Sequence, residues 1–340
     1  MLFITNKNIN EPLLNQLDSS RTITFSAANN QTGQSIFFCQ RNGKNSYTEI
    51  GSTELLNALK ASKAEQILIY IHGFNNHPET DIFPRAEKLQ KFFDAQQENL
   101  VQVLPIIWPC NDRIGVLRDY YDDQDAADIS IFAYTRLLEK FFNWQEQNIQ
   151  NGIPSCLKRI NVLAHSMGNR VLRGSLERWG EYHRNGAVPL IFRNTFLVAA
   201  DIANESLERG DKGDYLCQAS RNVVVYFASD DLALRSSKVA NDGNVINKAI
   251  SRRLGHSGPE NPDKLPTNVF TVDCDEINNR YDHPVGHSYF LDDGKGKPGL
   301  VFKHIFNAIQ TGRVDVDNPL KREKIIQPVS RKSRKADANE

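Results

Sequence analysis

The sequence predicts an α/β fold: a mostly parallel central sheet covered by helices on both faces, with antiparallel strands at its N-terminal end. Three observations carry this expectation. Continuous apolar runs recur at residues 67–71, 101–108, 160–164, 195–200, 223–227 and 268–272, as in strands buried on both faces. Segments with apolar residues at helical spacing lie between several of these runs. The first fifty residues instead contain short β-prone runs broken by polar turns.

Taken in order, Thr22 to Phe25 and Ser35 to Cys39 read as strands separated by the polar segment 29–33. Ser52, Thr53 and Glu54 open a helix that ends near Ala61. Helices are expected over 84–93, 128–147, 171–179 and 301–309. The second of these places Ile131, Tyr134, Leu138 and Phe141 on one face. Strand–helix alternation with short connections gives a parallel sheet, and right-handed crossovers bring the strand C-termini to one edge. Binding and catalytic sites of such sheets lie along that edge. One domain is expected over 1–311, with the N-terminal strands and first helix in 1–60. Residues 312–340 form a polar tail carrying Lys321, Arg322, Lys324, Arg331, Lys332, Arg334 and Lys335. It is expected to be solvated and without structure, with weak contact to nucleic acid or an anionic partner as the alternative.

Composition narrows the classes. At 340 residues the chain can bury an extensive core without a metal or disulfide staple. Lys+Arg and Asp+Glu balance at 41 each, which leaves no global field to attract nucleic acid or an acidic membrane. Cys39, Cys110, Cys156, Cys217 and Cys274 are scattered, without a C-x-x-C pair, which fits a reducing compartment better than a disulfide framework or zinc site. No run is long enough to span a membrane, and the first residues lack the apolar stretch of a signal peptide. The expectation is a soluble cytoplasmic protein with no cofactor and no metal.

The most informative stretch is Ala164-His165-Ser166-Met167-Gly168, between a buried run and a helix. A serine on such a strained strand-to-helix turn needs small residues two before and two after it, because strand and helix approach closely there. Ala164 replaces the glycine more often found at the first place. The turn exposes the Ser166 hydroxyl and aims the Met167 N–H at the space where an oxyanion would form. The competing reading of Ser166 alone is a helix N-cap. A second loop argues against it: His72-Gly73-Phe74-Asn75-Asn76 follows another buried run, and a strand followed by His-Gly suits the loop that supplies a second oxyanion donor, the Phe74 N–H. His72 is read as shaping that loop, and the His165 side chain as directed away from the site.

A serine nucleophile needs a histidine base oriented by a carboxylate, in the chain order Ser, acid, His. Asp230 and Asp231 follow the run at 223–227, and Asp201 follows the run at 195–200; position alone leaves all three open. His283 and His287 both follow the last run and precede the last helix. His256 comes too early, and His77, His183 and His304 lie on segments that read as surface loop or helix.

Together these blocks resemble an uncharacterised family of α/β-hydrolases related to esterases and lipases. The resemblance rests on residues 69–75, Trp108-Pro109, 164–170, Ala199-Ala200-Asp201-Ile202, 226–234, Arg253-Leu254-Gly255 and His287-Ser288-Tyr289-Phe290. It implies that the acid belongs to the Asp231-Leu232-Ala233-Leu234 block and the base to the His-Ser-Tyr block, hence Asp231 and His287. Asp201 would then sit at the rim.

The function expected is a serine hydrolase cleaving an ester or thioester of a small molecule through Ser166, Asp231 and His287. The alternatives are a catalytically silent binding module of the same fold, or an amidase or lipase variant of the same chemistry. Residues 110–127 and 204–220 are the candidate cap segments; neither has the broad apolar surface of a lipid-gripping lid.

Overall fold

Strands with apolar residues at every position must be covered from both sides, and the alternation of side chains along each strand sorts them into two cores. The computed structural model describes residues 1–25, 31–110, 116–183, 185–235 and 252–328. Among these, eleven strands form one sheet: β1 (Leu2–Lys7), β2 (Arg21–Ile23), β3 (Thr32–Gly43), β4 (Ser46–Glu49), β5 (Gln66–Ile71), β6 (Val101–Ile107), β7 (Arg159–His165), β8 (Phe192–Val198), β9 (Ser220–Phe227), β10 (Val269–Asp273) and β11 (Glu323–Ile325). Their order is β11-β10-β9-β8-β7-β5-β6-β1-β3-β4-β2. The pairings from β11 to β1 are parallel, and those joining β1, β3, β4 and β2 are antiparallel.

On one face, Leu68 and Tyr70 of β5 join the packed side chains of α2 (Phe83–Gln96) and of the last helix, Leu300–Thr311. On the other, Ile67 and Ile71 meet α1 (Ser52–Ala61), α3 (Val116–Gln150) and α4 (Gly168–His183). The chain runs from β5 to β6 on one side and returns to β7 on the other, so a topological switch point lies between β5 and β7. Their register pairs Ile71 with Ala164, which sets the loop after β5 beside the turn after β7.

At the opposite, N-terminal edge, four buried amides form a ladder across the strands. Asn161 donates to Gln66 (3.1 Å), Asn194 to Asn161 (2.8 Å) and Asn222 to Asn194 (2.8 Å). Gln66 and Asn222 also donate to the carbonyls of Ile309 and Gly312, at the end of the last helix, where carbonyls lack intrahelical partners.

Three elements depart from the sequence expectation. β1 is a buried, parallel member of the sheet although only Leu2, Phe3 and Ile4 are apolar. Its polar half is satisfied from outside the strand: Thr5 donates to the Ile107 carbonyl, and Asn6 bonds Ser130 and Tyr134 of α3. α3 begins at Val116, ahead of the periodic part of its sequence. The segment 312–340 is not a structureless tail throughout, because β11 pairs with β10 and Lys324 bonds Asp315 and Asp317. Arg331, Lys332, Arg334 and Lys335 lie outside the described residues.

Of the two candidate cap segments, 204–220 buries Leu207, Leu216 and Cys217 in the core beside α4, and includes the short helix α5 (Asp214–Gln218). No helix among the described residues is long and apolar enough to cross a membrane.

Candidate active site

Ser166 follows directly on β7 with φ of +52°, in the left-handed region that disfavours any side chain. Backbone bonds hold it there: its N–H donates to the Val198 carbonyl (3.0 Å), and its own carbonyl accepts from Asn169 N–H (3.1 Å) and Asp201 N–H (3.2 Å). The two flanking small residues have different freedom. A Cβ on Gly168 would lie 2.4 Å from the His72 carbonyl oxygen and 2.8 Å from that of Ile71, so glycine is required. Ala164 is buried and its methyl is accommodated, which is why the departure at that place is tolerated. Gly73 faces the serine in the same way, since a Cβ there would stand 2.8 Å from Ser166 Cβ.

His72 is buried, stacked on Trp108, and uses both ring nitrogens in the loop. Nε2 accepts from Trp108 N–H (3.1 Å), which leaves Nδ1–H to donate to the Gly73 carbonyl (2.8 Å). Burial lowers its pKa to about 4, so it stays neutral. The same loop touches α3: Phe74 packs edge-on against Tyr120, and Asn75 N–H donates to Asp123.

The three candidate acids differ in what they bond. Asp231 is buried; its Oδ2 lies 2.7 Å from His287 Nδ1, and its Oδ1 accepts from Leu234 N–H (3.0 Å). Asp230 instead accepts from the side chains of Asn278 and Asn279. Asp201 is buried beside the turn, accepting from Tyr120 (2.9 Å) and paired with Arg253 (3.1 Å). Of the two candidate bases, His283 is exposed, whereas His287 is partly buried and is the one paired with Asp231. Asp282 accepts from both His287 N–H (2.8 Å) and Ser288 N–H (2.7 Å), fixing the loop. Burial pulls the His287 pKa down, but the charge and hydrogen bond of Asp231 outweigh it, so the pKa is raised above 6.5. His304 bonds Tyr226 and the Asp315 carbonyl.

One expectation is corrected. The His165 side chain is not directed away from the site: its Nε2 lies 3.1 Å from the His287 carbonyl oxygen, and the two rings are 4.8 Å apart. The cause is strand alternation. His165 shares the face of Leu163, and the loop bearing His287 and Phe290 packs on that face. Burial, with the neighbouring His287, keeps the His165 pKa well below the usual histidine range.

Residues missed at the sequence level are those acting through the backbone. Asn76, Asn169 and Asp282 each hold a loop by side-chain bonds to main-chain groups. Asparagine and aspartate near a turn were the available signal. An apolar cavity of about 130 Å³ between α3 and the sheet, reaching Ile71 and Val171, touches neither Ser166 nor His287.

A serine at the switch point of a doubly covered parallel sheet, with an Asp–His pair beyond later strands, defines the α/β-hydrolase class. Residues 48–301 match the family described as alpha/beta hydrolase of unknown function (DUF900), and the chain belongs to it. A comparison with curated proteins finds no match. Among solved structures, the chain is similar to phospholipase PlaB from Legionella pneumophila in complex with thio-NAD, at 14% identity and a TM-score of 0.28. That match covers 64% of this chain, which spans only 39% of the phospholipase. A lipase-esterase related protein from Clostridium acetobutylicum matches at 10% identity, TM-score 0.31, over 74% of this chain and 96% of its own. Carboxyl esterase 2 from Tuber melanosporum matches at 10% identity, TM-score 0.27, over 95% and 80%. None of the three is similar enough to speak for the activity of this chain.

Proposed function

We propose that the protein is a serine hydrolase that cleaves a small acyl ester or thioester. The observation that carries this reading is the buried Asp231 paired at 2.7 Å with His287, whose loop is tied to the residue preceding a serine held at positive φ. In the first step, Ser166 Oγ bonds to the acyl carbon as its proton passes to His287 Nε2. Asp231 fixes the proton on Nδ1 and stabilises the imidazolium. The Phe74 and Met167 N–H groups hold the oxyanion; among the described residues neither has an acceptor. Collapse expels the alcohol or thiol, which takes the proton from His287. Water, activated by the same imidazole, then releases the acid and restores Ser166.

The exposed side chains of Leu232 and Val285 stand beside Asp231 and His287, with Leu232 N–H bonded to the Val285 carbonyl (3.1 Å). This narrow apolar rim suits a short acyl or alkyl group. The test is turnover of p-nitrophenyl acetate and butyrate by the wild-type protein and by Ser166→Ala. Hydrolysis that the alanine variant loses supports the reading. Equal rates in both would reject it.

A further inference from the structure

We infer that Asn76 and Asn169 are positioning residues that orient the two oxyanion-binding peptide groups, an inference that rests on Ser166 being the nucleophile. A trans peptide is planar, with its C=O and N–H pointing in opposite directions. Anchoring the carbonyl of one residue therefore aims the N–H of the next. Both peptides next to Ser166 are anchored in this way, by different elements.

In the loop after β5, the Gly73 carbonyl accepts from Asn76 Nδ2 (3.0 Å), from His72 Nδ1 (2.8 Å) and from Cys110 Sγ (3.5 Å). Asn76 Nδ2 also bonds the Phe74 carbonyl (2.7 Å), so one amide spans two consecutive peptide units. The orientation of that amide is set by Arg85, which donates to Asn76 Oδ1 and can only donate. With the Gly73 oxygen drawn toward Asn76 and Cys110, the Phe74 N–H faces the other way. Gly73 itself abuts Ser166.

In the turn after β7, the Ser166 carbonyl accepts from Asn169 Nδ2 (2.9 Å) as well as from two backbone N–H groups. Asn169 Nδ2 also reaches the carbonyls of Ala164 (3.1 Å) and Val198 (3.4 Å). Three acceptors around one atom identify it as the NH₂. The consequence is an orphan: Asn169 Oδ1 is buried with no hydrogen-bond partner. A buried unpaired carbonyl is unfavourable, and packing alone would be better served by an apolar side chain. What the asparagine supplies is the donor that holds the Ser166 oxygen inward and the Met167 N–H outward.

A rotated peptide would present a carbonyl oxygen to the developing oxyanion, replacing attraction with repulsion. The effect belongs to the transition state, so kcat should carry it and KM should not. The test compares wild type with Asn76→Ala, Asn76→Asp and Asn169→Ala on p-nitrophenyl butyrate. Affinity for an aryl trifluoromethyl ketone, which forms a tetrahedral adduct with serine, is measured alongside. Each variant is expected to lose about 10- to 100-fold in kcat, below the full loss of one donor. KM stays within about threefold, ketone affinity falls in parallel with kcat, and the pH at half-maximal kcat/KM does not move. Aspartate keeps the shape of Asn76 without the donor and should behave as alanine does. If Asn169→Ala does not fold, the two Asn76 variants decide.

Variants that hydrolyse and bind the ketone as wild type does would overturn the inference while leaving the serine reading intact. A rise in KM alone would overturn it equally. A wild-type protein that neither turns over the ester nor binds the ketone would remove the reading on which the inference rests, and the inference with it.

Discussion

At the N-terminal ends of β5, β7, β8 and β9, Gln66, Asn161, Asn194 and Asn222 spend their hydrogen bonds on one another and on the last helix. At the C-terminal ends of β5 and β7, polar groups are held in place without being used up. Ser166 sits at positive φ, the Asn169 side-chain carbonyl has no partner, and the Phe74 and Met167 N–H groups have no acceptor among the described residues. Both edges are buried and polar, and they differ in completion. A closed network fixes strand register and stabilises the fold, whereas an open one, on the proposed function, keeps donors available for a charge that arrives only with substrate.

The largest effect should come from the open edge. Asp231→Asn is expected to lower kcat by about four orders of magnitude, because the wrong His287 tautomer would be stabilised. Asp230→Asn should leave kcat within about tenfold, since its carboxylate serves Asn278 and Asn279. Ester turnover at saturating substrate separates the two, and equal losses would break the assignment. Next comes the closed edge. Asn194→Ala strands the Asn161 and Asn222 groups it bonded, and should destabilise the protein by about 2–4 kcal/mol in urea unfolding. Turnover per folded molecule should be unchanged; a loss of kcat without a loss of stability would contradict the division between the edges.

The pH profile is a smaller, sharper test. In the proposed mechanism His287 must be neutral to accept the serine proton, and Asp231 raises its pKa despite burial. kcat/KM should therefore fall as the pH drops through a midpoint above 6.5, with full activity on the alkaline side. A midpoint below that value would mean the pair is not charge-coupled. The smallest effect concerns the chain end. Removing 329–340 should change neither stability nor turnover, whereas removing 315–340 takes away β11 and should lower the melting temperature with kcat retained.

Periodicity makes the parallel strands legible, because burial on both faces leaves a continuous apolar run. It fails for β1, where Thr5, Asn6 and Lys7 are buried and the partners of Thr5 and Asn6 lie on β6 and α3, which local sequence cannot reveal. It fails for β11 because an edge strand of three residues, rich in charge, has no apolar run. At the site, Ser166, the Gly73 loop and the candidate acids are legible as strand-end chemistry. The choice between Asp230 and Asp231 needs either the resemblance or the side-chain directions at the end of β9. The direction of His165 escapes sequence reading because it depends on which face the distant 287–290 loop covers. Asn76 and Asn169 stay hidden since their partners are main-chain carbonyls, which carry no residue signature.

Everything at the open edge depends on Ser166 being an activated nucleophile. Incubation with a fluorophosphonate probe, followed by mass spectrometry of the modified peptide and a Ser166→Ala control, tests it directly. One adduct is expected, on Ser166, absent from the alanine variant. A folded wild-type protein that takes up no probe, or takes it up equally in both forms, would contradict the assignment.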